Sequence, residues 1–190
     1  MSFKEIDWTD DVIEEFWRYW RESPDLYFSE AYGDTIIQLS KRKVGNLGLV
    51  LDFGSGSGGL LASLSRARID CYGFEIGHGS REKLMQRFAN EQNVLGITNQ
   101  ETLSGLREKF DTVFLIETIE HLSDHHLETT MKQIYSVLKP GGWLVISTPN
   151  KEDLEAAKVY CPVSKLVFHP MQHLRSWNKG SLYKHLKGWQ

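Results

Sequence analysis

The feature that most constrains the fold of this 190-residue chain is one glycine-rich stretch, Val50–Leu60. An apolar run with strand character leads into it and ends at Asp52, four glycines follow within six residues, and the sequence then turns helical at Leu60. Glycines allow steep backbone turns and bring bare amide groups close to a ligand. The N-terminus of the following helix adds free N–H groups and a partial positive charge. A strand, a glycine turn and a helix in this order predict a site for a nucleotide-type ligand.

Composition predicts one globular domain that spans residues 1–190. With 41% hydrophobic and 25% charged residues, the chain can bury one full core. The net charge of −3 gives no sign of a broad phosphate-binding face, although a local basic patch would be compatible with it. Two distant cysteines, Cys71 and Cys161, are typical of a reducing compartment. Because no apolar run approaches 18 residues and the N-terminus lacks a signal-peptide core, we expect a cytoplasmic protein without a membrane span.

Alternating strand and helix patterns over residues 46–150 predict the fold class. Strands that alternate with helices form right-handed βαβ units around a parallel sheet. We therefore predict an α/β, Rossmann-like, doubly wound and mostly parallel sheet with helices on both faces. The five predicted strands cover about 48–52, 69–74, 94–97, 112–116 and 143–147.

The two flanking segments have patterns of their own. Residues 1–45 predict an N-terminal helical cap, in which Thr9 caps a helix with an apolar stripe of 3.6-residue period. The many aromatic residues of this cap allow two interpretations, helices that pack on the sheet or a lid over a ligand cleft. Residues 151–190 are less regular, and we expect them to form a substrate-side segment that ends in a short helix capped by Asn178 or Ser181.

The glycine spacing alone fits two kinds of ligand. Gly54, Gly56 and Gly59 satisfy G-x-G-x-x-G, and Glu75 follows about 20 residues later, as in a dinucleotide-binding unit. However, a carboxylate at Asp52 would repel a pyrophosphate and would suit an ammonium group. Gly58 also creates the alternative spacing G-x-G-x-G.

Two further stretches complete a larger pattern. Phe110–Glu117 places an acid before the fourth strand, and Leu138–Ile146 is a helix stop that leads directly into the fifth. Together with Val50–Gly58 and Glu75, these stretches resemble the class I S-adenosylmethionine-dependent methyltransferases, in particular the type 11 and ubiquinone-biosynthesis O-methyltransferases. The resemblance covers residues 50–150. It implies an enzyme with strand order 3-2-1-4-5 and S-adenosyl-L-methionine as cofactor.

The same resemblance implies roles for individual residues. Glu75 would accept hydrogen bonds from the two ribose hydroxyls of the cofactor. Ile76 would pack on the adenine. Asn99 and Gln100, just past the third strand, would read the adenine edge or lie on a loop surface. The methionine end would be lined by Asp52, Gly54, Ser55, Gly56 and Gly58 and bordered by Ile116 and Glu117.

An acid–histidine group follows the fourth strand with the spacing E-x-x-E-H. This spacing is similar to that of the ubiquinone-biosynthesis O-methyltransferases and of the small-RNA 2′-O-methyltransferases, where two glutamates and two histidines hold a divalent metal. Glu117, Glu120 and His121 match it, and His169 or His173 would be the fourth ligand. The metal-free alternative makes His121 or His173 a catalytic base or a substrate contact.

We therefore predict a methyltransferase that acts on an oxygen or nitrogen atom, most simply of a small molecule. The alternatives are a metal-assisted RNA 2′-O-methyltransferase, a NAD-dependent dehydrogenase and a non-catalytic cofactor-binding protein. No nucleic-acid partner is signalled. No pattern after the fifth strand predicts the sixth and seventh strands of the family sheet, so either the sequence is truncated before them or the sheet ends at five strands. The exposed sheet edge would then pair in a homodimer or be covered by Met171–Trp177 as an added strand.

Overall fold

Five parallel strands form the central sheet in a computed structural model, which describes residues 3–23 and 27–189. A two-residue strand, β1 (Lys4–Glu5), precedes them in the chain. The spatial order is β4-β3-β2-β5-β6. Because the first strand of this sheet is β2, the order equals the predicted 3-2-1-4-5, and the predicted fold class is confirmed. The strands are β2 (Val50–Phe53), β3 (Cys71–Phe74), β4 (Val94–Thr98), β5 (Phe110–Ile116) and β6 (Leu138–Ser147).

Helices cover both faces of this sheet, and their ends follow local capping signals. Thr9 accepts the N–H of Val12 at the first helix, as predicted, and Ser123 accepts the N–H of His126 at the sixth. Asn178 caps the last helix in a reciprocal pair with Ser181. The helices are α1 (Asp10–Trp20), α2 (Phe28–Val44), α3 (Gly59–Arg66), α4 (His78–Arg87), α5 (Gln100–Leu103), α6 (Asp124–Val137), α7 (Leu154–Ala157) and α8 (Lys179–Lys187).

Alternating side chains of the strands divide the core into two clusters. Leu51 and Leu115 point to the face covered by α6 and α8. Val50 and Phe114 point to the opposite face, where α2, α3 and α4 pack. Successive residues of a strand point to opposite faces, so a sheet buried on both sides needs nearly continuous apolar runs. Packing on both faces of the sheet therefore holds β2, and with it the start of the glycine turn, in place.

A second, three-stranded sheet joins the N-terminal segment to the segment that follows β6. Its order is β1-β8-β7, where β7 is Val159–Tyr160 and β8 is Leu166–Phe168. The prediction that Met171–Trp177 adds a strand to the large sheet is wrong, because the backbone of this segment turns toward the end of β5 instead. Leu174 donates its N–H to the carbonyl of Glu120, and only a single bridge joins Trp177 to Asn150. Within the described residues, β6 therefore pairs with β5 alone.

The order of the strands also locates the cleft. The chain moves outward from β2 to β3 and β4, and then crosses back to place β5 on the other side of β2. Ligands of open α/β sheets bind at the carboxyl ends of the strands beside such a reversal. In the described part of the chain, no helix has both the length and the apolar character needed to cross a membrane.

Candidate active site

One cavity of about 600 Å³ lies at the carboxyl ends of β2, β3 and β5. It connects the glycine turn and Glu75 with the two histidines His121 and His173. Most of the sequence-predicted site residues therefore share one cleft. Those that line it are Gly54, Ser55, Gly56, Glu75, Ile76, Gln100, Ile116, Glu117, His121 and His173.

The glycine turn uses a backbone conformation that other residues rarely adopt. Gly54 and Gly56 have φ angles of 81° and 53°. The N–H of Gly56 donates to Oε2 of Glu75 at 3.0 Å, which ties the turn after β2 to the end of β3. A side chain on Gly56 would also meet the ring of Tyr27, since an added Cβ lies 2.8 Å from Cε1 of that ring. Only glycine therefore suits both the conformation and the close approach of Tyr27.

Gly56→Ala should lower the melting temperature and weaken cofactor binding. The left-handed conformation costs an L-residue about 1–2 kcal/mol. For a chain of this size we expect a loss of about 2–8 °C in Tm, measured by thermal unfolding followed by circular dichroism. Gly105→Ala is the matched control, because nothing lies within 4 Å of a Cβ added there. Equal melting temperatures for the two variants would contradict this account of the turn.

Glu75 presents its carboxylate to the cavity in a fixed orientation. Oε1 accepts the N–H of Gly77 at 3.0 Å while Oε2 holds the N–H of Gly56. Burial raises the pKa of Glu75, and the two N–H donors and the nearby Arg21 guanidinium oppose that rise. Each oxygen keeps further lone pairs that can accept hydrogen bonds from a ligand. Ile76, beside it, is 71% exposed and offers an apolar surface at the cavity.

The N-terminal cap closes the cavity from above. No residue of α1 is fully buried, because its apolar side faces the cavity rather than a packed core. Indole Nε1 of Trp17 donates to Oε1 of Gln172 at 3.0 Å, which links α1 to the substrate-side segment. The lid interpretation of the cap is thus supported. The cap residues in the wall include Ile13, Trp17, Trp20, Arg21, Tyr27 and Phe28.

Three residues predicted for cofactor binding do not line the cavity. Asp52 is 3% exposed, and burial raises its pKa to about 7, so it is not the open carboxylate that the sequence suggested. Gly58 is the N-cap residue of α3. A Cβ added there would clash with the ring of Phe88, so this glycine has a packing role. Asn99 caps α5, and its neighbour Gln100 reaches the cavity instead.

A cluster of histidines and glutamates forms the other end of the cavity. The ring of His173 lies 4.8 Å from that of His121 and stacks at 4.5 Å on that of His169. Oε2 of Glu152 is 2.5 Å from Nδ1 of His173, and its Oε1 is 3.3 Å from Nε2 of His169. Oε1 of Glu120 lies 3.9 Å from Nε2 of His121. The cluster brings residues from the end of β5 together with residues that follow β6.

Burial keeps two members of this cluster uncharged. It lowers the pKa of His121 to about 3, and the neighbouring His173 acts in the same direction. It raises the pKa of Glu120 to about 8, since both carboxylate oxygens are buried without a hydrogen-bond partner among the described residues. At neutral pH, His121 is therefore a poor proton acceptor, and Glu120 is largely a neutral carboxylic acid.

This burial of Glu120 predicts a pH-dependent stability. A carboxyl whose folded pKa is raised stabilises the fold below its ordinary pKa of 4.5, and that contribution is lost as the pH rises toward 8. Relative to Glu120→Gln, the unchanged protein should lose up to about 1.4 kcal/mol of unfolding free energy per pH unit across this interval. Urea unfolding at several pH values measures it. The control Glu101→Gln, at an exposed position, should follow the unchanged protein; parallel curves for Glu120→Gln would contradict the prediction.

The proposed four-ligand metal set is only partly assembled. Ligand atoms of Glu120, His121 and His173 lie within 4.8 Å of one another, and so do those of Glu152, His169 and His173. Glu117 belongs to neither group in the described chain. It sits at a tight turn with φ of 44° and lines the cavity separately. The set of two glutamates and two histidines drawn from the sequence, with Glu117 as a member, is therefore not brought together in the described chain.

Two residues of the site gave no usable signal in the sequence. Gln172 is fully buried, donates from Nε2 to the carbonyl of His121 at 3.0 Å, and accepts from Trp17. It thereby connects the cap, the end of β5 and the substrate-side segment. Glu152 contacts His173 across 21 sequence positions. Neither contact has a periodicity or a spacing that a motif could reveal.

Comparison with known proteins decides the family. The family model described as a methyltransferase domain matches residues 17–188. This chain belongs to that family. The resemblance to class I S-adenosylmethionine-dependent methyltransferases is thus confirmed, and with it the predicted cofactor. The family assignment does not support the dehydrogenase, RNA-methyltransferase or non-catalytic alternatives.

Individual relatives of this methyltransferase-domain chain match it over part of their length. The mitochondrial ubiquinone biosynthesis O-methyltransferase of Mus musculus is 35% identical over 115 residues, which are 57% of this chain and 30% of that protein. The chain therefore spans less than half of this curated relative.

Solved structures show the same fold. The PH0226 protein from Pyrococcus horikoshii superposes with a TM-score of 0.64 at 21% identity, over 90% of this chain and 88% of that one. An S-adenosylmethionine-dependent methyltransferase from Clostridium acetobutylicum gives a TM-score of 0.65 at 14% identity, over 94% and 87% of the two chains.

Proposed function

We propose that this protein transfers the methyl group of S-adenosylmethionine to an oxygen or nitrogen nucleophile of a small molecule. The observation that carries the proposal is the single cavity, which joins the glycine turn and Glu75 to His121 and His173. The O-methyltransferase relative favours oxygen as the acceptor atom. A cytoplasmic location, a single domain over 1–190 and pairing of two copies through β6 stay predictions.

The cofactor end of the cavity fits the cofactor in three ways. Two oriented carboxylate oxygens of Glu75 suit a pair of neighbouring ribose hydroxyls. Exposed Ile76 offers a flat apolar contact for adenine, and Gln100 supplies an amide near it. Bare backbone at Gly54 and Gly56 allows close approach of the methionine end. When bound, S-adenosylmethionine supplies an electrophilic methyl group on a sulfonium.

His173 is the residue that we assign as general base. It lines the cavity, and Glu152 occupies its Nδ1, so its Nε2 is available to take the proton of an acceptor hydroxyl. The hydroxyl oxygen becomes the nucleophile as its proton passes to Nε2 of His173. His121, neutral because of its lowered pKa, packs its ring against Trp17 and His173 and shapes the acceptor end. Alignment of the nucleophile by these walls supplies the remaining rate enhancement.

Charge at the acceptor end favours a neutral or cationic small molecule. Among the described residues of the wall, Arg21 is the one lysine or arginine, and it bonds to Ser80 on the cofactor side. Asp10, Glu14 and Glu117 contribute acids to the same wall. Such a wall disfavours a nucleic-acid backbone, because Lys and Arg side chains that neutralise phosphates supply much of the affinity for nucleic acid. This charge distribution favours a small-molecule acceptor over RNA.

An acceptor screen tests the proposal. Purified protein is incubated with S-adenosylmethionine and panels of phenols, catechols, small amines and an RNA oligonucleotide, each with and without chelator, and S-adenosylhomocysteine is quantified. We expect product with a neutral or cationic hydroxyl or amine acceptor, and no loss on chelation. Product with RNA alone, or cofactor binding without turnover on any acceptor, would overturn the proposal. Binding of NAD in calorimetry with no binding of S-adenosylmethionine would overturn it as well.

A further inference from the structure

Glu152 contacts His173 but does not itself line the cavity. Its two carboxylate oxygens contact two different histidines, Nδ1 of His173 at 2.5 Å and Nε2 of His169 at 3.3 Å. His173 belongs to the cavity wall, whereas Glu152 and His169 do not. The side chain of His169 is 4% exposed and that of Glu152 is 24% exposed. Glu152 can therefore act on the cavity only through His173.

The proton positions on His169 follow from its backbone contacts. Nδ1 of His169 accepts the N–H of Met171 at 3.2 Å and the N–H of His173 at 3.3 Å. A ring nitrogen that accepts hydrogen bonds carries no proton, so the proton of neutral His169 lies on Nε2. Burial lowers the pKa of His169, which favours this neutral form. Its Nε2 lies 3.3 Å from Oε1 of Glu152, a close contact without hydrogen-bond geometry.

The proton position on His173 follows in turn from Glu152. An ionised carboxylate only accepts hydrogen bonds. The 2.5 Å contact therefore requires the proton of neutral His173 to lie on Nδ1, which leaves a bare lone pair on Nε2. The other titratable groups close to this ring are His121, His169 and Glu120. Of these, His121 and Glu120 are kept neutral by burial, and Glu152 is the carboxylate in direct contact with His173.

The backbone around Glu152 is fixed as well. Lys151 has a φ of 58° and donates its N–H to the carbonyl of Trp177 at 2.7 Å. Asp153 caps α7 through the N–H of Ala156. The carboxylate thus sits between two anchored neighbours on a loop that follows β6. This placement distinguishes Glu152 from the exposed Glu155 on the same segment.

We propose that Glu152 is a positioning residue that fixes the tautomer and ring orientation of His173, so that Nε2 presents its lone pair to the methyl acceptor. This inference rests on the proposed function and deepens it. In the reaction, Nε2 takes the acceptor proton, and the carboxylate of Glu152 compensates the charge of the imidazolium that forms. His169 supports the arrangement by stacking its ring on that of His173.

Glu152→Gln tests the proposal, because a glutamine side chain has nearly the same shape but can donate to Nδ1 as well as accept. We expect kcat to fall on the order of 10²-fold, with the KM for S-adenosylmethionine little changed. Glu152→Asp keeps the carboxylate and should recover part of kcat. The matched control is Glu155→Gln, whose side chain is 80% exposed and should leave kcat unchanged. Nitrogen-15 NMR of the histidine rings should show the proton of His173 on Nδ1 in the unchanged protein and a mixture of tautomers in Glu152→Gln.

Two results would overturn the proposal. One is a proton on Nε2 of His173 in the unchanged protein at neutral pH. The other is a Glu152→Gln variant with normal kcat and an unaltered tautomer. Should Glu152→Gln fail to fold, the tautomer in the unchanged protein and the activity of Glu152→Asp decide the question. If the unchanged protein methylates no acceptor, the proposed function fails, while the NMR measurement still decides whether Glu152 sets the tautomer.

Discussion

Replacing Glu75 with glutamine should weaken binding of S-adenosylmethionine by about 10²–10⁴-fold, since hydrogen bonds to a charged group contribute about 1.5–3 kcal/mol each and two are expected. The carboxylate already holds the N–H groups of Gly56 and Gly77 on its two oxygens. The amide nitrogen of glutamine would face one of these donors, so the variant would also disturb the glycine turn. Isothermal calorimetry with S-adenosylmethionine measures the effect.

The control for this experiment is Glu82→Gln. Glu82 lies on α4 close to the same end of the sheet, but its side chain is 60% exposed and it does not line the cavity. The Glu82→Gln variant should bind S-adenosylmethionine with the same dissociation constant as the unchanged protein. If Glu75→Gln bound the cofactor as tightly as Glu82→Gln does, the ribose role of Glu75 would be excluded.

His173→Gln should lower kcat by about 10²–10⁴-fold, the usual contribution of a general base. Binding of S-adenosylmethionine should be unaffected, because His173 lies at the far end of the cavity from Glu75. The acceptor that performs best in the screen provides the activity assay, and calorimetry provides the cofactor dissociation constant. A loss of both activity and cofactor binding would indicate a general structural role instead.

His125→Gln is the matched control for His173. His125 is exposed on α6 and lies outside the cavity wall. It should retain full activity. Comparable kcat values for His125→Gln and His173→Gln would remove the base assignment and leave methyl transfer to depend on alignment alone.

The core of the fold could be predicted because its signals are local. Apolar runs, helix caps and the glycine turn each lie within about one strand or one helix turn of the residues they control. Thr9 caps the helix predicted for it. Glu75 could also be predicted as a site residue, because one βαβ crossover fixes its sequence distance from the glycine turn.

The catalytic end could be predicted only in part. The sequence identified His121 and His173 as candidates but could not rank them, because their difference arises from burial and from Glu152. Gln172 meets Trp17 across 155 sequence positions, a pairing that no local pattern encodes. Asp52 is a different case. Its place in the motif was recognisable, but the motif did not reveal that the strand buries the side chain in the interior.

The parallel pairing of β1 with β8 has a consequence for how ligands enter and leave. Lys4 pairs with Leu166 and Glu5 with Val167, so the beginning of the chain is fastened beside the substrate-side segment while α1 lies across the cavity. Because β1 is paired with β8, α1 is held at its N-terminal side and cannot move away from the cavity as a free lid would. Because the described β1–β8 ladder comprises two residue pairs, it is short enough to open locally without disturbing the main sheet. Ligand exchange is therefore expected to track the opening of this small ladder, and amide hydrogen exchange at β1 would report its rate.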